Sequence, residues 1–164
     1  MDIFMDFSEI LVELKNILDS KKLTISTAES CTGGLLGAIL TSIPGSSSFF
    51  QGAIVAYSNY QKINLLKIPE DLLKKFGAVS EECAISMAKN LKDITSSDIS
   101  ISVTGIAGPE GGTPEKPVGT VFSSIIIKNN EKSFKFQFSG NRNLIRIMTA
   151  RTLIENLLSL LKDE

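Results

Sequence analysis

Apolar residues recur along this chain in two rhythms, every third or fourth position and every second, and the switches between them mark out the elements. After Ser8, the spacing of Ile10, Leu11, Leu14, Ile17 and Leu18 predicts an amphipathic helix ending near Asp19 and Ser20. Residues Leu23 to Ala28 alternate as a short strand. Glu29-Ser30-Cys31-Thr32 and the pair Gly33-Gly34 follow, and then Leu35, Leu36, Ile39 and Leu40 read as a helix closed by Ile43-Pro44-Gly45. Phe49 to Tyr57 predicts a second strand, after which Ser58-Asn59 caps a helix carrying Lys62, Leu65 and Leu66. Ser80-Glu81-Glu82 starts another helix, with Ala84, Met87, Ala88 and Leu91 on one face. Ile99 to Val103 is a third strand and Thr104 to Gly112 a glycine-rich loop. Val118 to Ile127 and Lys132 to Phe138 form a hairpin about Asn129-Asn130, and Asn141 to Leu161 closes the chain as a long helix. The order predicts an α/β fold, a three-layer α/β/α sandwich with a mixed β-sheet and helices on both faces.

Length and apolar content, 164 residues and 43% hydrophobic, suit one domain over residues 1–164, with an N-terminal helical segment at 1–20 ahead of a core at 23–160. The opening residues are acidic and mixed rather than signal-like, and no apolar run approaches the ~20 residues of a membrane span. A cytoplasmic protein without a membrane partner is expected. Seventeen basic and eighteen acidic residues leave a net charge of −1, so no basic field favours nucleic acid. Cys31 and Cys83 lack metal-ligand spacing, and neither a disulfide nor a zinc site is expected. The chain has no histidine, which removes the usual general base and the usual metal ligand together. Any nucleophilic chemistry must use a carboxylate, a tyrosine or a lysine of lowered pKa as its base.

Three loops follow strand ends: Glu29 to Gly34, Tyr57 to Lys62, and Thr104 to Gly112. Ligands of open α/β sheets bind outside the carboxyl ends of parallel strands, so these loops are the candidates to share a pocket. Ser30 sits at a strand-to-helix turn, where the amides of Thr32, Gly33 and Gly34 would be placed to receive an oxyanion or a phosphate. Taken locally, Ser30 or Thr32 reads more readily as a simple N-cap. Lys62, one turn into its helix, reads equally as a solvated side chain. The glycine loop lacks the Gly-Lys-Ser or Gly-Lys-Thr ending of a P-loop and does not fit the dinucleotide fingerprint; it suits close backbone approach to a ligand or an ordinary Ω-loop. Arg142 and Arg146, on one face of the last helix, fit either a phosphate clamp or a surface pair. Cys31 rivals Ser30 as nucleophile, because a helix N-terminus lowers a thiol's pKa.

Ala28-Glu29-Ser30-Cys31-Thr32-Gly33-Gly34, Tyr57-Ser58-Asn59 with Lys62, Gly77-Ala78-Val79-Ser80, Thr104-Gly105-Ile106-Ala107-Gly108-Pro109, Lys116-Pro117-Val118-Gly119 and Gly140-Asn141-Arg142 with Arg146 together resemble the CinA C-terminal domain family over roughly Leu23 to Leu160. The resemblance implies a serine-lysine amidohydrolase that converts nicotinamide mononucleotide to nicotinate mononucleotide and ammonia in pyridine nucleotide recycling. It implies Ser30 as nucleophile and Lys62 as base, with Tyr57 assisting. The substrate-binding set expected beside them is Glu29, Thr32, Gly33, Gly34, Thr104, Gly105, Ala107, Gly108, Arg142 and Arg146. A depressed Lys62 pKa is expected from burial and from a neighbouring cation, Arg142 or Arg146. Glu29 is expected to favour the substrate's pyridinium charge. No cofactor and no metal are expected, and the resemblance favours a homo-oligomer. Some family members carry a further N-terminal domain resembling molybdopterin-binding proteins, and a stand-alone enzyme is expected here. The alternative is a catalytically silent nucleotide-binding module, accessory to competence or DNA-damage responses.

Overall fold

The computed structural model describes residues 5–163. Residues 1–4, the start of the segment expected as an N-terminal helix, lie outside them. Helix α1 (Ser8–Lys21) follows a single 3-10 turn and stops where Lys22 enters the left-handed region. The amide of Leu23 donates back to Leu18 O, so strand β1 starts at Ile25 and not at Leu23 as its alternation suggested. The remaining elements in chain order are β1 (Ile25–Glu29), α2 (Leu35–Leu40), β2 (Phe50–Val55), α3 (Asn59–Asn64), α4 (Glu70–Phe76), α5 (Glu81–Thr95), β3 (Ile99–Gly105), β4 (Thr120–Ile127), β5 (Asn130–Gln137) and α6 (Arg142–Lys162).

The five strands form one mixed sheet in the order β2-β1-β3-β4-β5, with β1 parallel to both β2 and β3 and the β3-β4 and β4-β5 pairs antiparallel. Both faces are covered. Ile25, Ile99, Ile101 and Val103 point with Val121, Ile125 and Ile127 into a large core closed by α1, α2 and α6. On the other face Ala28, Ala56, Leu66 and Ile68 pack with Cys83, Met87 and Leu91 of α5. Leu11, Leu14 and Leu18 are fully buried, and each such side chain contributes ~1.5–3 kcal/mol relative to exposure. The sandwich expected from the sequence is therefore the observed architecture.

Three local differences have physical causes. Lys67 adopts a positive φ ahead of Ile68 and Pro69, and this ends α3 at Asn64, leaving Leu65 and Leu66 outside the helix. Helix α4, with Pro69 before it, Glu70 and Asp71 in its first turn and Gly77 at its end, carries ordinary boundary signals but was not anticipated. The hairpin turns at Lys128 (φ 54°) and Asn129, while Asn130 already pairs with Ile127. Because β1, β2, β3 and β5 all point the same way, their carboxyl ends and the start of α6 lie along one edge of the molecule.

Candidate active site

Ser30 immediately follows β1, between the ends of β2 and β3, where its amide donates to Val103 O (3.0 Å) and Ala56 donates to Glu29 O (2.9 Å). Glu29 and Ser30 thus point to opposite faces of the sheet, as neighbours in a strand do. On the α5 side, Ser30 meets Lys62. The hydroxyl of Ser58 accepts from Gln61 N and starts α3, which aims Lys62 inward. Lys62 Nζ lies 2.9 Å from Ser30 Oγ and donates to Ala56 O at 3.1 Å, and the side chain is only 2% exposed.

Burial holds the Lys62 pKa below the ordinary lysine value, opposed weakly by the thiols of Cys83 and Cys31. No second cation contributes, contrary to the expectation for Arg142 or Arg146. Arg146 donates from Nε and Nη2 to Thr32 O (3.2 and 2.8 Å), and Arg142 donates to Gly108 O (2.7 Å) and to Tyr57 Oη (2.6 Å). Desolvation is thus the source of the lowered value.

Ser30 and Lys62 lie in the wall of a cavity of ≈ 280 Å³, with Tyr57, Arg142 and the loop that follows β3 around them. Of the residues expected to bind substrate, Thr104, Gly105, Ala107, Gly108 and Arg142 line it; Glu29, Thr32, Gly33, Gly34 and Arg146 do not. Thr104 and Gly105 belong to β3 itself, paired with Phe122 and Val121, and the Thr104 hydroxyl is committed to Ala78 O at 2.7 Å. Gly105 is needed for close approach, because a β-carbon there would sit 2.7 Å from Thr120 O.

Of the expected oxyanion amides at Thr32, Gly33 and Gly34, the first belongs to a fully buried residue that does not line the cavity, and the other two are already engaged. Gly33 N donates to Ser30 O (2.9 Å), and Gly34, at φ 93°, donates to the Glu29 carboxylate (3.0 Å). Among the described residues no protein group accepts from the amides of Ala107 or Gly108, both in the cavity wall. Glu29 is fully buried beneath α2 and faces away from the cavity, so a contact with a pyridinium is not available to it. Tyr57 is 58% exposed at the rim, and its hydroxyl is held by Arg142 and not by Lys62.

Cys31 lines the cavity, but burial pushes its thiol up to about 12, leaving essentially no thiolate at neutral pH. Cys83, fully buried, is pushed up to about 11 by the same desolvation. Both cysteines are free. Asn59 and Glu110, within the expected strand-end loops, also line the cavity, and Ala78 and Val79 do so from outside them. Their signal was weak: Val79 belongs to a loop between two helices, drawn to the site by Lys116 Nζ on Val79 O (2.5 Å). Among the described residues no group of three or more His, Cys, Asp or Glu could hold a metal ion, and no helix is long and apolar enough to cross a membrane.

The sequence profile of the CinA C-terminal domain matches residues 8–161. A CinA-like protein of Thermotoga maritima is 49% identical over 154 residues, covering 94% of this chain and 37% of the relative. One from Dictyoglomus thermophilum is 50% identical over 141 residues, covering 86% and 34%. The chain thus spans little more than a third of the length of the curated relatives it matches. Among solved structures, the competence/damage inducible protein CihA of Agrobacterium tumefaciens superposes with a TM-score of 0.91 at 37% identity, covering 94% of this chain and 95% of that one. A CinA superfamily protein from Klebsiella pneumoniae 700603 gives 0.92 at 27% identity over the full length of both chains.

Proposed function

We propose, for a chain that belongs to the CinA C-terminal domain family, that it hydrolyses the carboxamide of nicotinamide mononucleotide with Ser30 as nucleophile and Lys62 as general base. The observation that carries this reading is a lysine 2% exposed with Nζ 2.9 Å from a serine Oγ in a cavity wall. A protein that only binds a nucleotide gains nothing from desolvating an amine against a hydroxyl, whereas a neutral amine there is a base within proton-transfer distance.

Neutral Lys62 takes the Ser30 proton as Oγ bonds to the amide carbon, while its own N–H stays on Ala56 O and fixes the direction of the lone pair. Negative charge develops on the former carbonyl oxygen, and we assign the amides of Ala107 and Gly108 as the donors to it. Lys62 passes the proton to the leaving nitrogen, the C–N bond breaks, and ammonia departs. Water then attacks the ester; Lys62 removes its proton and returns one to Ser30 Oγ as nicotinate mononucleotide leaves. The pyridinium ring withdraws electrons from the carboxamide and makes its carbon more electrophilic. Arg142, bridging Tyr57 and Gly108 at the rim, offers the cavity's fixed positive charge to the substrate phosphate.

The test is ammonia release from nicotinamide mononucleotide by purified protein, matched one to one by nicotinate mononucleotide. Turnover supports the reading. Thermal stabilisation by the nucleotide without ammonia release would identify a binding module instead.

A further inference from the structure

Glu29 is a fully buried carboxylate that the proposed chemistry does not use, and its surroundings are unusual in where its partners come from. Oε1 accepts from Thr27 Oγ1 (3.0 Å) and Gly37 N (2.8 Å). Oε2 accepts from Thr32 Oγ1 (2.7 Å), Gly34 N (3.0 Å) and Leu36 N (3.1 Å). Four of these five donors belong to residues 32–37, the stretch that leaves Ser30 and enters α2. Three of them are backbone N–H groups that can only donate, so only an acceptor with both oxygens available satisfies the set. Two donations from Arg146 to Thr32 O also hold the carbonyl edge of the same turn.

We infer that Glu29 is a positioning residue for Ser30: its carboxylate is the template around which residues 30–37 are wound, and it holds Oγ at bonding distance from Lys62. The two side chains act from opposite faces of the sheet, one setting the turn and the other taking the proton. The inference rests on the reading of Ser30 as nucleophile, but not on which amide is cleaved. An error of ~1 Å in the placement of a reacting atom lowers a rate by about 100-fold. Glu29→Gln keeps the shape yet turns one oxygen into an NH2 group, which must then face at least one backbone N–H in either orientation.

The experiment measures two quantities in wild type, Glu29→Gln and Thr32→Val: kcat and KM with nicotinamide mononucleotide, and the rate and end-point stoichiometry of Ser30 modification by a fluorophosphonate. The expected result for Glu29→Gln is a fall of about 100-fold in both kcat and modification rate, with KM within about threefold and the end-point still near one label per chain. A purely structural role would lower the end-point through unfolded protein and leave the rate per folded molecule unchanged. Thr32→Val removes a single donor to Oε2 at constant shape, is expected to lower both rates by about 3- to 10-fold, and decides the matter if Glu29→Gln does not fold. Wild-type rates per folded molecule in the variants overturn the inference. If wild type is modified at Ser30 but leaves the nucleotide intact, the substrate assignment fails while the modification rates still test Glu29. A wild type that neither hydrolyses nor labels at Ser30 removes the nucleophile, and the inference with it.

Discussion

Replacing Lys62 with methionine separates its two contributions, because methionine fills a similar volume without an amine. Removing a general base costs about 10²- to 10⁴-fold in rate, or ~3–5 kcal/mol of barrier. The same change withdraws two hydrogen bonds, to Ser30 Oγ and Ala56 O, each worth ~1 kcal/mol net, but it also relieves the burial of a group that is 2% exposed. These terms oppose each other, so Tm should move by no more than about 4 °C. Lys62→Arg behaves differently: guanidinium cannot lose its charge, and an uncompensated buried charge costs ~3–5 kcal/mol, lowering Tm by roughly 10 °C as activity disappears. Steady-state ammonia release and calorimetry on the same preparations give both quantities. Lys62→Met protein with kcat within tenfold of wild type would refute the base assignment, whatever its stability.

Four further outcomes are expected. Ser30→Ala should abolish turnover while the nucleotide still raises Tm, and Cys31→Ala should retain most activity because its thiol, pushed up to about 12, supplies no thiolate. With chemistry limiting, kcat/KM should rise with pH through the lowered Lys62 pKa, since the neutral amine is the working form. The same depression means that the unfolded chain binds the extra proton, so this residue's contribution to stability improves as pH rises from its folded pKa towards ~10.4; urea midpoints of wild type should show this against Lys62→Met. Tyr57→Phe, which removes only the acceptor of Arg142 Nη2, should raise KM while changing kcat by less than about tenfold, and a larger loss of kcat would restore the tyrosine to a direct role in proton transfer.

The fold was legible wherever the signals were local. Ser58, Ser80 and Asn141 announce their helices and do accept from the third amide onward, and the alternation of Ile99 to Val103 places its isoleucines in the large core. The site was legible as a set of strand-end loops, because parallel strands bring their ends together whatever their side chains. What could not be read was direction and burial. A lysine in a short helix is ordinarily solvated, and nothing near Lys62 in sequence reveals that Ser30, 32 residues away, will cover it. Glu29 and Arg146 look like polar residues available to a ligand, yet both are spent on backbone atoms of the Ser30 turn, a partner with no side-chain signature. The glycines at 33 and 34 supply the turn, but their amides go to Ser30 O and Glu29.

The central claim, that Ser30 activated by a neutral Lys62 attacks an amide carbon, is tested most directly by rapid-quench peptide mapping of wild-type protein mixed with nicotinamide mononucleotide. The account predicts a covalent nicotinate mononucleotide ester on Ser30, absent from Ser30→Ala protein. An adduct mapped to Cys31, or to any residue other than Ser30, would contradict it.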